Sequence, residues 1–419
     1  METPAADNAS LGDANSGVVI IGAGQAGAET ATALRQQGYA GSITLIGEEA
    51  YPPYRRPPLS KTFLAGKVSL ASLHLKAATV YEKHDIACRL AVRATAVDVA
   101  ARQVHLDDGS RLPYGELVLA TGGKPRKLPV PGADLACLHY VRTIDDVLRL
   151  RETFRPGARL VLIGGGYIGL EIAAVAAQQG LQVVVIEAME RVLARVAAAP
   201  LSAFYQSVHR RHGVEIVTGE AVASLQASSQ GALVRLADGR QYAADLVIAG
   251  IGLVPEVGLA QAAGINASPS GIMVDSACRT SAPGVYAVGD CTCGENEFYG
   301  RAVHVESVPN ATEQARVLAA VLTGKAVRHD AVPWFWSDQY DLKLQMVGLS
   351  AGHDDVVLRG DQQTSSFITF YLREGVLISA DAVNRPQDFM VARRLVAARV
   401  RPDPEMLADE QIPLKTLLG

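Results

Sequence analysis

The hydrophobic pattern of this chain is written twice. Val18–Gly22 is an apolar run, followed by a helical period over Gln25–Gln37 that stops at Gly38 and by a second apolar run, Ser42–Gly47, ending at Glu48. The same order returns as Arg159–Ile163, Tyr167–Gln179 closed by Gly180, and Gln182–Ile186 ending at Glu187. Short apolar runs bounded by glycine predict buried parallel strands, and the 3.6-residue period between them predicts the crossover helix. After each βαβ unit the pattern turns to alternation. Ala94–Val99, Gln103–Leu106 and Arg111–Tyr114 turn at Asp107-Asp108-Gly109, and a second hairpin system turns at Asp238-Gly239. Buried strands Leu117–Thr121 and Asp245–Ala249 close the two units, before Gly122-Gly123 and Gly250-x-Gly252. A whole domain is therefore repeated at an offset of about 140 residues.

Val285–Val288, Gly289-Asp290 and a helix over Val308–Leu322 return the chain to its first domain, so the second domain is inserted in the first. From Val332 the pattern changes to strands Ser365–Leu372 and Val376–Val383 and a late helix Pro386–Ala397, an α+β unit. The expected organisation is a lead-in over 1–16, a first domain over 17–122 and 250–331, an inserted domain over 123–249, and a C-terminal domain over 332–419. Tyr51–Lys61 reads as a proline-punctuated loop. The lead-in Met1–Ser16 is small and polar, lacks the basic and apolar regions of a signal peptide, and is expected to be disordered.

Both strand–helix junctions carry a glycine fingerprint, Gly22-x-Gly24-x-x-Gly27 and Gly164-x-Gly166-x-x-Gly169. Glycine lets the chain turn tightly and bring its N–H groups against a pyrophosphate at a helix N-terminus. One such motif is a weak signal, but two in strand–turn–helix context predict two dinucleotide sites. A protein with two such sites is most simply a flavoprotein that takes hydride from a nicotinamide. Glu48, about 26 residues after Gly22, can accept both hydroxyls of a ribose. Glu187 holds the matching position in the second unit, where a carboxylate disfavours a 2′-phosphate; a like-charge contact near 4 Å costs roughly 1–4 kcal/mol. Arg191 and Arg195 follow it, and Arg195 is assigned to the pyrophosphate or adenosine of the nicotinamide cofactor.

The chain has 419 residues and a formal net charge of −4, so nothing in it points to nucleic acid or an anionic membrane. No apolar run approaches the roughly 20 residues that span a bilayer. Its five cysteines, Cys88, Cys137, Cys278, Cys291 and Cys293, are odd in number and lack C-x-x-C spacing. A disulfide framework and a metal site are therefore not expected, and a reducing, cytoplasmic setting is. No cysteine lies between Gly22 and Lys61, where a disulfide reductase or flavin peroxidase of this build would place its redox thiol.

The segments VVIIGAGQAG, RPPLSK, LVLATGGKP, VLIGGGYIGLE, VIAGIGLVP, VYAVGDC, ESVPNATEQA and PWFWSDQYDLKLQMVG together resemble the FAD-dependent ferredoxin reductases that feed class I bacterial cytochrome monooxygenases. The resemblance runs from about Gly17 to the C-terminus. It implies an α/β fold with two Rossmann-like domains of glutathione-reductase type, the second inserted in the first, and a C-terminal α+β interface domain. Gly22, Gly24, Ala26, Gly27 and Glu48 would hold FAD, with Asp290 on the ribityl chain, Ala94 and Val308 offering backbone groups, and Arg142 along the cofactor. Gly164, Gly166, Ile168, Gly169, Glu187, Arg195 and Gly252 would hold NADH, with Glu306 near the nicotinamide ribose. Lys61 of RPPLSK and Glu171 of GGGYIGLE would meet beside the flavin N5, where an ammonium stabilises electron density gained by the ring. Trp336, one of only two tryptophans, would wall the flavin or nicotinamide pocket and face the partner.

The partner implied is a two-iron two-sulfur ferredoxin. Such ferredoxins are acidic, so a locally assembled basic patch is expected, with Arg316, Lys343, Arg393, Arg394 and Lys415 as candidates, and Trp336 as the apolar docking candidate. The reductase of an aromatic-ring dioxygenase and a rubredoxin reductase share every cofactor motif and differ in the acceptor. A redox-sensing flavoprotein of the apoptosis-inducing-factor type is an alternative of another class. A water-forming NADH oxidase or peroxidase is disfavoured by the missing thiol.

Overall fold

The computed structural model describes residues 17–418, so the lead-in expected over 1–16 lies outside the described residues. By its internal contacts the chain divides into two compact units. One comprises residues up to Arg55, His74–Gly123 and Pro255–Ala331; the other comprises Arg56–Leu73, Lys124–Val254 and Val332 onward.

The first unit is built on a parallel five-stranded sheet in the order Val285–Ala287, Glu116–Leu119, Val18–Ile21, Ile43–Ile46, Ile86–Arg89. Each of the central strands is buried on both faces, which is why they read as apolar runs rather than alternations. Val18 and Ile20 pack with Ala31, Leu34 and Leu318 from helices Gln25–Gln36 and Val308–Leu322, whereas Val19 and Ile21 pack with Val104 and Leu106 of the antiparallel strand Gln103–Leu106 and with Tyr114, which follows strand Arg111–Pro113. The strand Ile86–Arg89, which the pattern does not announce, sits at the sheet edge with one of its four residues buried.

The second unit repeats this architecture, with parallel strands in the order Glu215–Thr218, Gln182–Glu187, Arg159–Ile163, Leu246–Ala249, Leu138–His139 and the crossover helix Tyr167–Gln178. The C-terminal part of this unit is an antiparallel sheet in the order Trp334–Gln339, Leu342–Gly348, Val376–Val383, Ser366–Arg373, Asp355–Asp361, against which helix Pro386–Ala397 packs. Sequence pattern identifies two of these five strands. The pair Trp334–Gln339 and Leu342–Gly348 escapes because aromatic and polar residues occupy both faces of the first strand. Pro57 and Pro58 open a 3-10 turn, Pro57–Ser60, inside the expected loop, their fixed φ being pre-organised for it. The part of that loop from Arg56 onward, placed by sequence order in the first domain, clusters with the second unit, while the part up to Arg55 stays with the first. Among the described residues no helix is long and apolar enough to cross a membrane.

Two charged groups are buried in the C-terminal sheet. Arg359 is 4% exposed and donates to the carbonyls of Leu407, Asp409 and Ile412 at 3.2, 2.7 and 2.8 Å, tying down the C-terminal segment. Asp381 is 2% exposed, and the Tyr371 hydroxyl donates to it. Burial pushes the Asp381 carboxyl up to about 7, against the opposing pull of that hydroxyl. The folded chain therefore keeps a proton that the unfolded chain releases between about pH 4 and 7, and stability falls as pH rises through that window. Asp381→Asn is expected to match the parent in Tm near pH 4 and exceed it increasingly up to pH 8; a Tm gap that does not grow with pH would count against this.

Candidate functional site

Each fingerprint uses its three glycines differently. In the first unit Gly22 has φ +114°, and a Cβ there would lie 2.1 Å from the Ala120 carbonyl oxygen. A Cβ on Gly27 would lie 1.9 Å from the Gly22 carbonyl oxygen, so strand, turn and helix fit only without side chains at these two positions. Gly24 differs, because a Cβ there meets nothing within 4 Å. The chain's own packing does not demand its bareness, which leaves room for a ligand to approach the backbone closely. Helix Gln25–Gln36 starts at Gly24 with no side-chain cap, leaving its first N–H groups for an anion.

Three further segments meet this turn. A Cβ on Gly47 would come 2.7 Å from the Ala23 Cβ, which sets Glu48, exposed at the strand end, next to the fingerprint. The segment leading to Ala94 runs beside it, with Val92 N donating to Gly47 O at 3.0 Å. A Cβ on Gly289 would come 2.8 Å from the Ala26 Cβ, so the half-buried Asp290 adjoins the first turn of that helix. Gly289 N donates to Gln314 Oε1 at 2.7 Å, and Gln314 lies on the helix that Val308 begins and Ser307 caps. Glu306 is exposed and accepts from His304 Nε2 at 3.0 Å, while His304 Nδ1 faces the Thr292 carbonyl at 3.0 Å. Both partners are acceptors, and the Glu306 hydrogen bond is the main cause that raises His304 above the usual imidazole range. His304 lies outside the motifs and Gln314 sits inside ESVPNATEQA as an ordinary helical residue, so what either one bonds shows only in the fold.

The second unit holds the matching cradle. Gly164 has φ +107° and a Cβ there would meet Gly250 O at 2.5 Å; one on Gly169 would meet Gly164 O at 2.2 Å; one on Gly166 would meet nothing within 4 Å. Ile168, beside it, is 51% exposed despite its apolar side chain. Glu187 is fixed by two backbone donors, Gly165 N at 2.7 Å and Met189 N at 2.9 Å. A carboxylate has about four acceptor sites, so ribose hydroxyls can still be received. Arg191 turns inward, donating to Ala197 O at 2.7 Å and Ser202 Oγ at 2.5 Å, and its guanidinium is committed to its own loop. Arg195 is exposed, and its guanidinium lies 3.8 Å from where a Gly252 Cβ would be. Arg142 is also in this unit, where its N–H bonds Asp146 at the start of helix Ile144–Arg151.

One turn into the fingerprint helix, Glu171 is 3% exposed. Its Oε1 is 2.8 Å from Lys61 Nζ and accepts from Ser337 Oγ at 2.7 Å; its Oε2 accepts from Ser60 Oγ at 2.5 Å. The structure thus joins Lys61 and Glu171, 110 positions apart in the numbering, in one ion pair whose carboxylate is buried and whose ammonium is half-buried. Ser60 and Ser337 were not legible as partners. Trp336 is not among the contacts of this pair: strand alternation sends it to the face opposite Ser337, beside Trp334 at 5.8 Å. Lys343 and Lys415 are exposed in this unit and Arg316 in the first. Cys278, Cys291 and Cys293 are buried, and burial raises each thiol, Cys278 to about 12.

Comparison with known proteins agrees with this geometry. Residues 16–315 match the family model of the pyridine nucleotide-disulphide oxidoreductases, and residues 334–418 match that of the reductase C-terminal domain. The chain is 44% identical to putidaredoxin reductase of Pseudomonas putida over 97% of its length and 98% of that protein. It is 40% identical to the ferredoxin–NAD(+) reductase component of the anthranilate 1,2-dioxygenase system of Burkholderia cepacia, over 96% of its length and 98% of that protein. It also superimposes on the crystal structure of the covalent putidaredoxin reductase–putidaredoxin complex with a TM-score of 0.93, at 44% identity, covering 97% of this chain and 99% of that one.

The two kinds of glycine separate by experiment. Gly166→Ala is expected to keep the parent's Tm within about 2 °C while weakening nicotinamide-nucleotide binding at least tenfold. Gly169→Ala should lower Tm as well, since its Cβ strikes backbone. Nucleotide titration alongside thermal unfolding checks both, and unimpaired binding by Gly166→Ala would contradict the assignment.

Proposed function

We propose, for a chain that belongs to the pyridine nucleotide-disulphide oxidoreductase family and is a ferredoxin reductase using FAD and NAD(P)H, that the electron donor is NADH and the acceptor a two-iron two-sulfur ferredoxin serving a cytochrome monooxygenase. FAD, when bound, supplies the conversion of one hydride into two single electrons. The observation that carries the reading is the Lys61–Glu171 ion pair, whose buried carboxylate sits on the helix that the second fingerprint opens. Glu171 holds the ammonium of Lys61 in one place, and Lys61 offers that positive charge to the flavin edge. Gly22, Gly24, Ala26, Gly27, Glu48, Ala94, Asp290, Val308 and Arg142 are assigned to FAD. Gly164, Gly166, Ile168, Gly169, Arg195, Gly252 and Glu306 are assigned to the nicotinamide nucleotide, and Trp336 to the pocket wall.

NADH is preferred over NADPH on two grounds. Glu187 is anchored by Gly165 and Met189, so it cannot swing away from a 2′-phosphate, and Arg191 is engaged within its own loop. The missing thiol between Gly22 and Lys61 sends electrons outward to a protein rather than to a disulfide. Docking of an acidic ferredoxin is assigned to Arg316, Trp336, Lys343 and Lys415, in the cytoplasm. The similarity to a dioxygenase-system reductase favours a second acceptor class, the ferredoxin of an aromatic-ring dioxygenase.

NADH-driven reduction of a panel of purified ferredoxins and rubredoxins tests the acceptor, and fastest turnover with a rubredoxin would overturn it. That rate should fall as added salt shortens the Debye length below about 10 Å. In stopped-flow measurements Lys61→Ala is expected to slow flavin reduction at least tenfold with little change in NADH affinity; reduction at the parent rate would refute the role of the pair. The kcat/KM ratio of NADH to NADPH should exceed about ten and shrink in Glu187→Gln.

A further inference from the structure

Behind Glu171 lies a second layer of polar groups that the proposed reaction does not use. Strand Trp334–Gln339 runs across two helices with its alternate side chains turned toward them. Phe335 meets Tyr167 with ring centroids 5.3 Å apart, Ser337 bonds Glu171 at 2.7 Å, and Gln339 bonds His209 of helix Ala199–Arg211 at 2.9 Å. Ser337 and His209 are 0% exposed and Gln339 is 1% exposed.

The direction of every bond in this layer follows from its end. A carboxylate only accepts, so Ser337 must spend its single hydroxyl proton on Glu171. Its lone pair then receives Gln339 Nε2 at 3.2 Å, which orients the amide and leaves Gln339 Oε1 facing His209 Nε2 at 2.9 Å. That oxygen needs a donor, so the ring carries its proton on Nε2 and Nδ1 is left to accept from the Tyr340 hydroxyl at 3.1 Å. Burial pushes His209 down to about 4, which keeps the ring neutral and able to play both parts. Tyr340 is in turn stacked on His212 at 3.8 Å and 14° between planes. Four donors in series thus point the same way, Tyr340 to His209 to Gln339 to Ser337 to Glu171. Bonds aligned in series polarise one another in a low-dielectric interior, and a broken link leaves its neighbour unsatisfied.

Resting on the reading of Lys61 and Glu171 given above, we infer that Ser337, Gln339 and His209 are positioning residues for that pair: their one-way hydrogen-bond chain fixes the Glu171 carboxylate and, through it, the Lys61 ammonium. The amide in the middle of the chain cannot pass a proton onward, so the chain orients and polarises and does not deliver protons to the site. It also makes the first strand of the C-terminal sheet part of the site's support.

The test compares FAD-loaded parent, Ser337→Ala, Ser337→Thr and Lys61→Ala. Ser337→Ala is expected to slow flavin reduction by NADH about tenfold, a typical consequence of losing one hydrogen bond to a charged group. Its apparent NADH affinity should stay within about twofold of the parent, and the two-electron potential of its flavin should move in the same direction as that of Lys61→Ala. Ser337→Thr, which keeps the hydroxyl, should restore both rate and potential. A Ser337→Ala enzyme with the parent's rate and potential overturns the inference, and it overturns this inference alone if Lys61→Ala is slow. If Lys61→Ala is also unimpaired, the reading of the pair has failed. Nitrogen NMR of the parent gives an arm independent of any variant's folding: His209 is expected as the Nε2–H tautomer, and an Nδ1–H ring refutes the chain.

Discussion

A carboxylate that is 3% exposed must be paired, and the pairing of Glu171 is the constraint on which the second unit turns. Removing an ion from water costs several kcal/mol even after relaxation, and only a cation with hydrogen bonds to the remaining lone pairs offsets it. Here the offset comes from two separate stretches of chain: Ser60 and Lys61 from the proline turn, and Ser337 from the C-terminal sheet, both closing on one helix position. Apolar packing could hold these stretches near each other, but it would not specify which residues face one another. A buried charge with three named donors does.

The two glycine cradles have the same backbone logic and different chemical surroundings. In both, the first and third glycines are demanded by carbonyls 1.9–2.5 Å from any Cβ, and the middle one is open. The carboxylates that end the following strands are not equivalent. Glu48 is exposed, whereas Glu187 is half-buried and bonded to two backbone amides. A ligand group meeting Glu187 would meet a fixed charge, which is the ground on which the preference for NADH is proposed. The first cradle draws instead on a return of the chain, with Gly289-Asp290 and the helix from Val308 joined by Gln314.

The amino-acid sequence by itself determined the repeated βαβ pattern, because parallel strands covered on both faces must be apolar throughout and the crossover between them must be helical. It also determined both cradles, since a glycine forced by a carbonyl has no substitute, and it marked Glu48, Glu187, Lys61 and Glu171 through motifs of fixed local spacing. What it did not carry was anything set by contacts between distant segments. The strand Trp334–Gln339 has neither alternation nor a uniform apolar run, because one face supports Glu171 and His209 while the other carries Trp334 and Trp336. Ser60, Ser337, Gln339 and His209 are common residues whose meaning lies in partners up to 166 positions away. Only the tertiary structure decided which way their hydrogen bonds point, that Arg191 serves its own loop, and that the proline turn bearing Lys61 clusters with the second unit. Local pattern reflects what each segment must bury, and the partners of a buried charge are chosen only when the segments meet.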